Sequence, residues 1–233
     1  MASTSLRFGD VTVTVDDYHG DFLILRSDVL GALGRIGKAL FERQFHFVDE
    51  VIVSQSELLL KLNARYSPQL LPTLAAVGVP AASAAKTFVL PVLLGDSPDW
   101  EAVLAATGHD RDSLSRELER LVFSVAMLGF LPGFVYLEGL PEGLHLPRKA
   151  DPAKYVEAGS LAIGGPYLGL YALDSPGGWH VIGKTPLRLL EVPDLPPVPY
   201  APGDQFRIRA IGHKEFDRLA ARSLTLSQYH ADT

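Results

Sequence analysis

The residues able to do chemistry in this chain gather between Gly129 and Pro186. Gly178-Trp179-His180-Val181-Ile182-Gly183-Lys184-Thr185 satisfies G-x-x-x-x-G-K-[ST] letter by letter. In a phosphate-binding loop such a run follows a buried strand, and its Lys-Thr end opens a helix. Backbone N–H groups and the helix N-terminus then cradle the phosphates. Here the four middle residues are bulky strand formers, and the Leu-Arg-Leu-Leu run after Pro186 is soon ended by Pro193. The pattern therefore predicts a β-hairpin and no nucleotide cradle. Ser160 sits in Ala158-Gly159-Ser160 with no Gly-x-Ser-x-Gly elbow and reads as a turn hydroxyl, not a nucleophile. The seven histidines show no His-x-His or His-Glu-x-x-His pair, so no metal site is expected, and His180 reads as a strand residue with one face in water. With no cysteine, thiolate catalysis, disulfides and Cys-ligated metals are excluded.

What remains is a pocket. Phe130, Phe134, Tyr136 and Trp179 offer walls, the neighbouring glycines let backbone amides approach a ligand, and Arg148 or Lys184 could meet a carboxylate or phosphate. The competing reading is that the same aromatics fill a barrel core.

The elements that must position these residues follow from glycine placement and apolar period. Eleven of the 21 glycines fall in 129–186, about twice the even share, and they stand beside aromatics, as in a tightly turned β structure. Between them run strand-length apolar pieces at 160–163, 168–173 and 179–182. A small β-barrel or sandwich with a Pro/Gly-shaped rim is expected.

Earlier in the chain, 11–15 and 22–25 read as strands, and the period changes to 3.6 from Asp28, behind an N-capping Ser27 or Asp28. Strands at 47–53 and 57–62, a helix at 67–77 and a strand at 87–94 follow. This order suits an α+β sandwich, ferredoxin-like in outline. The stretch from Ala81 to Ala85 is the expected boundary, giving an N-terminal α+β domain over 1–85 and a C-terminal β-barrel domain over 86–233. Asp96-Ser97-Pro98-Asp99 starts a helix to about Thr107, and Asp110 another to about Leu121. A strand is expected at 187–192, an extended proline-dense connection at 193–199, a strand at 205–211, a helix at 213–222 and a loose tail from Leu224 to Thr233, ordered by a partner if at all.

A length of 233 residues, 47% hydrophobic and 21% charged, suits a folded globular protein of one large or two modest domains. A net charge of −6 gives no electrostatic footprint for nucleic acid. No apolar run is long enough to span a membrane, and the first residues do not resemble a secretory signal. A cytoplasmic location is the expectation.

The motifs also resemble a known family. Gly-Phe-Leu-Pro-Gly-Phe-Val-Tyr-Leu at 129–137, Pro-Arg at 147–148, Ala-Gly-Ser-Leu-Ala-Ile-Gly-Gly at 158–165 and Ser-Pro-Gly-Gly-Trp-His-Val-Ile-Gly-Lys-Thr-Pro-Leu at 175–187 resemble the carboxyltransferase-domain (subdomain C and D) family. That family includes the 5-oxoprolinase B component, allophanate hydrolase subunit 1 and a sporulation-kinase inhibitor. The resemblance implies a ferredoxin-like N-terminal domain and a cyclophilin-like barrel. It implies a subunit of an ATP-dependent amidohydrolase that opens 5-oxoproline to glutamate, inactive without a homologous second subunit and a lactam-binding third subunit. ATP would act in the complex and not on this chain alone. It further implies that Tyr136, Arg148, Ser160, Trp179 and Thr185 line an inter-subunit substrate site. The alternatives are an allophanate hydrolase or urea carboxylase-like subunit, or a regulator that docks on a sensor histidine kinase. The chain departs from the family pattern at Leu118 (usually His), at Ala153 (usually the Arg of a second Pro-Arg) and at Tyr167-Leu168 (usually Gln-Thr), which implies an altered substrate or lost catalysis.

Overall fold

The computed structural model describes residues 3–29, 31–54, 56–79, 84–191 and 197–230. The chain divides into two compact units, Met1–Ala84 and Ala85–Thr233. Residues 81–83 of the expected boundary lie outside the described residues, as do 192–196 of the proline-dense connection.

The first unit is one antiparallel sheet of β1 (Thr4–Phe8), β2 (Val11–Tyr18), β3 (Phe22–Arg26), β4 (Val48–Val53) and β5 (Glu57–Leu62), in the order β1-β2-β3-β5-β4. Alternation sends Val11, Val13, Val15, Leu23, Leu25, Leu58 and Leu60 to one face, where they form the core with α1 (Ala32–Arg43) and α2 (Leu70–Ala75). Gly37 lets α1 lie close to the sheet, since a Cβ there would fall 2.4 Å from Cγ2 of Val53.

Several expectations are corrected here. The helix begins at Ala32 after Gly31, whose φ of 70° breaks the chain direction, and not at a Ser27 or Asp28 cap. The Ser27 hydroxyl instead accepts the Val29 N–H in a local turn. β1, too short and polar to be read from its letters, pairs with β2 along its whole length. The ferredoxin-like outline is not established. β3-α1-β4-β5-α2 repeats its first five elements, but the place beside β3 belongs to β2 from the start of the chain. The strand expected to complete that sheet, β6 (Thr87–Leu94), lies in the second unit.

The second unit is a closed seven-stranded barrel. Its strands are β6, β7 (Phe123–Leu128), β8 (Val135–Glu138), β10 (Ser160–Gly164), β11 (Tyr167–Leu170), β13 (His180–Lys184) and β14 (Gln205–Ala210), closing in the order β10-β11-β8-β7-β14-β6-β13. A small hairpin-like sheet of β9 (Ala153–Val156) and β12 (Ser175–Gly177) completes it. Helices α3 (Trp100–Thr107), α4 (Arg111–Arg120) and α5 (His213–Arg222) accompany the barrel, α4 opened by a capping box between Asp110 and Ser113.

No strand forms at 187–191. Leu187 and Leu189 are buried, while Arg188 makes an isolated bridge to Thr225. That bridge also corrects the loose-tail expectation for residues 224–229, while 231–233 of that expected tail lie outside the described residues. The Arg188 N–H donates to the Leu224 carbonyl, the Leu226 N–H donates back to Arg188, Ser227 is held by Glu191, and Arg209 donates to the Tyr229 hydroxyl. Leu226 is buried in the barrel core, so residues 224–229 are fastened by their own chain.

Candidate functional site

The strands that build the barrel have two differently furnished faces. Val135, Leu137, Leu161, Ile163, Leu168, Leu170 and Ile182 point inward and belong to the main hydrophobic core. The alternate residues Tyr136, Ala162 and Val181 point outward and pack with Phe134, Val156, Tyr171 and Trp179 in a separate cluster. Glycine makes that second face possible. A Cβ at Gly164 would fall 2.1 Å from Cδ2 of Trp179, and one at Gly169 would fall 2.5 Å from its Cζ3. The indole therefore lies where two side chains have been left out.

A cavity of about 620 Å³ opens over this surface, within the usual size of small-ligand sites. Its aromatic walls meet edge to face. Phe134 lies 4.9 Å from both Tyr136 and Tyr171 between ring centroids, and Tyr136 lies 5.5 Å from Trp179. Phe130 leans on Phe134 from the rim, 60% exposed. It holds φ at 70°, a left-handed conformation costly for a bulky residue. The 129–134 turn that presents it is closed by the Gly129 N–H to the Phe134 carbonyl and tied by the Tyr200 hydroxyl to the Gly133 carbonyl at 2.6 Å. Gly133 is required there, with φ 75° and with Leu190 Cδ2 and Ala172 Cβ only 2.6 and 2.8 Å from where a Cβ would stand.

Two polar groups in this cavity lack partners. Among the described residues Arg148 has no hydrogen-bond or ion-pair partner, and its guanidinium lies over Gly178. Its charge reaches the neighbouring phenols. Burial pushes the Tyr136 and Tyr171 hydroxyls up, and Arg148 pulls both the other way. Ser175, 8% exposed, has a buried hydroxyl with no partner, although buried hydroxyls ordinarily find one. A cation without a counter-ion, an orphan hydroxyl and aromatic plates together suit a small, flat, anionic ligand.

Of the five residues expected at the substrate site, the structure brings Tyr136, Arg148 and Trp179 together in this cavity. Ser160 and Thr185 stand apart. Ser160, buried at the start of β10, borders a separate polar cavity of about 500 Å³. Thr185 is 2% exposed and its hydroxyl accepts the Leu187 N–H, in the wall of a third cavity. The Walker-like letters at 178–185 run through β13, with no helix after Thr185, and the Lys184 ammonium is engaged by Glu157. These residues do not fit a nucleotide's phosphates.

The departures from the family pattern also separate. Leu118 and Leu168 are fully buried in the main hydrophobic core, on α4 and on the inward face of β11, so they are packing residues and not lost members of this site. Tyr167 lines the cavity wall, while Ala153 borders the polar cavity beyond β9. Sequence reasoning missed Tyr171 and Ser175. The Ser-Pro-Gly-Gly-Trp run contains Ser175, but only burial without a partner marks it.

Comparison with known proteins agrees with the motifs. Residues 23–200 match the family described as carboxyltransferase domain, subdomain C and D. The 5-oxoprolinase B component of Escherichia coli O157:H7 is 42% identical over 120 residues, which cover 51% of this chain and 55% of that one. A urea amidolyase of Lachancea kluyveri is 32% identical over 121 residues, 46% of this chain and 7% of that one. Among solved structures, a conserved uncharacterized protein of Pyrococcus horikoshii superposes with a TM-score of 0.54 at 30% identity, over 87% of this chain and 99% of that one. The aligned region is about half the length of the E. coli protein. The match over 23–200 covers most of the sequence, and the chain belongs to the carboxyltransferase domain, subdomain C and D, family.

Proposed function

We propose that the chain is a subunit of an ATP-dependent amidohydrolase complex that opens 5-oxoproline to glutamate, and that the outer-face cavity receives the substrate. The observation that carries this reading is the unpaired Arg148 guanidinium beside an unpartnered, buried Ser175 hydroxyl, above an aromatic floor. Arg148 would hold the carboxylate of 5-oxoproline in a charge-assisted pair. Ser175 would bond a polar atom of the ring, and the aromatic wall that includes Tyr136 and Trp179 would cover its methylenes.

Adding water across a lactam needs an activated nucleophile and stabilisation of the developing oxyanion. Neither an activated serine nor a phosphate cradle is assembled among the described residues, so those parts fall to partner subunits. One would be homologous to this chain, and a lactam-binding third subunit would pass 5-oxoproline to this cavity, which would lie at the contact between subunits. ATP would act in that assembly and not on this chain. A cytoplasmic location belongs to the same reading. No described helix is long and apolar enough to cross a membrane. Docking on a histidine kinase has no observation on this chain in its favour.

The test is reconstitution. The chain is co-purified with the products of its neighbouring genes and assayed for glutamate released from 5-oxoproline. Release that needs ATP and all components supports the proposal. Absence of any hetero-complex, or release by the partners without this chain, contradicts it.

A further inference from the structure

Asp99 occupies the N-cap position of α3, yet its carboxylate makes no capping bond to its own helix. An aspartate there ordinarily accepts an N–H from the first turn. Here one carboxylate serves two distant segments instead. Oδ2 accepts the Val181 N–H at 2.9 Å, on the strand that follows Trp179. Both oxygens take the Lys149 ammonium, at 3.1 and 2.8 Å, with the two side chains only 15% and 18% exposed. The Ser97 hydroxyl donates to the Val181 carbonyl, so the 97–99 turn holds both polar groups of that residue's backbone.

Lys149 is the neighbour of Arg148. The two side chains go to different places, Arg148 to the aromatic cavity and Lys149 to the polar one. The segment between them is fastened at each end. The Lys149 N–H donates to the Gly178 carbonyl at 2.7 Å, and the His180 Nε2 donates to the Pro147 carbonyl at 3.0 Å. Among the described residues Arg148 thus has no hydrogen-bond or ion-pair partner of its own and takes its place from its neighbours. A long cation aimed at a ligand would otherwise lose much rotameric and loop freedom on binding.

We propose that Asp99 is the positioning residue of the outer-face cavity, setting the separation of Arg148 and Trp179 through Lys149 on one side and Val181 on the other. The inference rests on the reading that this cavity receives a carboxylate, but the clamp can be tested without it. Lys149→Met removes the arm to Arg148 and leaves the Asp99 contact with Val181. Asp99→Ala removes both arms. Lys149→Arg keeps the charge that Asp99 needs.

Amide exchange read by NMR decides the clamp. Lys149→Met is expected to speed exchange of the Lys149 amide about tenfold while Val181 stays protected, and Asp99→Ala to speed both. In the reconstituted complex Lys149→Met is expected to raise KM for 5-oxoproline about tenfold with kcat much less changed, and Lys149→Arg to restore it. Unchanged Lys149 exchange in Lys149→Met overturns the proposal. So does a rise spread evenly over the barrel, because the pair would then be a structural brace only. If the wild-type complex does not turn over 5-oxoproline, the functional reading fails while the exchange result still judges the clamp.

Discussion

The inward and outward faces of β8, β10, β11 and β13 are made by the same alternation and differ in almost every other respect. Inward, the residues are Val, Leu and Ile, fully buried and without a polar atom to satisfy. Outward stand aromatics, two glycines that make room for an indole, and beyond them an unpaired arginine and an orphan hydroxyl. A barrel core needs only volume and apolarity. The orphan Ser175 hydroxyl and the left-handed Phe130 are departures from local rules of the kind that functional sites carry. The difference is the ground on which the outer face is proposed as the site.

Substitutions on the two faces should therefore separate stability from binding. The largest loss of stability belongs inside. Leu161→Ala, at a fully buried position, is expected to cost about 2–5 kcal/mol by denaturant unfolding. Affinity per folded molecule should be unchanged, and a selective loss of affinity would blur the division. Next is Gly164→Ala, which places a methyl group against the Trp179 ring. Overpacking of this kind costs about 1–3 kcal/mol, and it should also displace the indole and abolish ligand binding. Wild-type Trp179 fluorescence in that variant would show that the ring does not depend on the missing side chain.

A smaller effect comes from alkaline pH. The inward residues of these four strands have nothing to titrate, although Tyr200 lies in the same core, whereas burial raises the Tyr136 and Tyr171 phenols on the outer face against the pull of Arg148. A raised folded value means stability that is complete below the unfolded value, near pH 10, and lost as pH rises through the folded one. Tyr171→Phe should make the decline above about pH 10 shallower. Tyr200, also raised by burial, keeps part of it. An identical alkaline profile in Tyr171→Phe would remove the outer face from that transition.

How much of this is legible in the letters depends on the distance over which each feature is determined. The apolar pieces at 160–163 and 179–182 carry their strand character locally, and β10 and β13 fall on them. Tyr136, Arg148 and Trp179 can be grouped because motifs already bring glycine, aromatics and a cation near one another. Thr87–Leu94 reads as part of the wrong sheet because a strand's letters do not name its partner. Its parallel neighbour, β14, begins more than a hundred residues later. The tail reads as loose because its anchors, Glu191, Arg188 and Arg209, are scattered through earlier sequence. Asp99 reads as the start of a helix, and its contacts at residues 149 and 181 exist only in three dimensions.

The central claim, that the unpaired cation on the outer face serves substrate, is tested most directly by Arg148→Ala in the reconstituted complex. Arg148 is exposed and makes no hydrogen bond or ion pair among the described residues, so unfolding should shift by no more than about 0.5 kcal/mol. Subunit assembly should persist, while kcat/KM for 5-oxoproline falls about a hundredfold, as when a charge-assisted pair is lost. Full turnover by an intact Arg148→Ala complex would contradict the account.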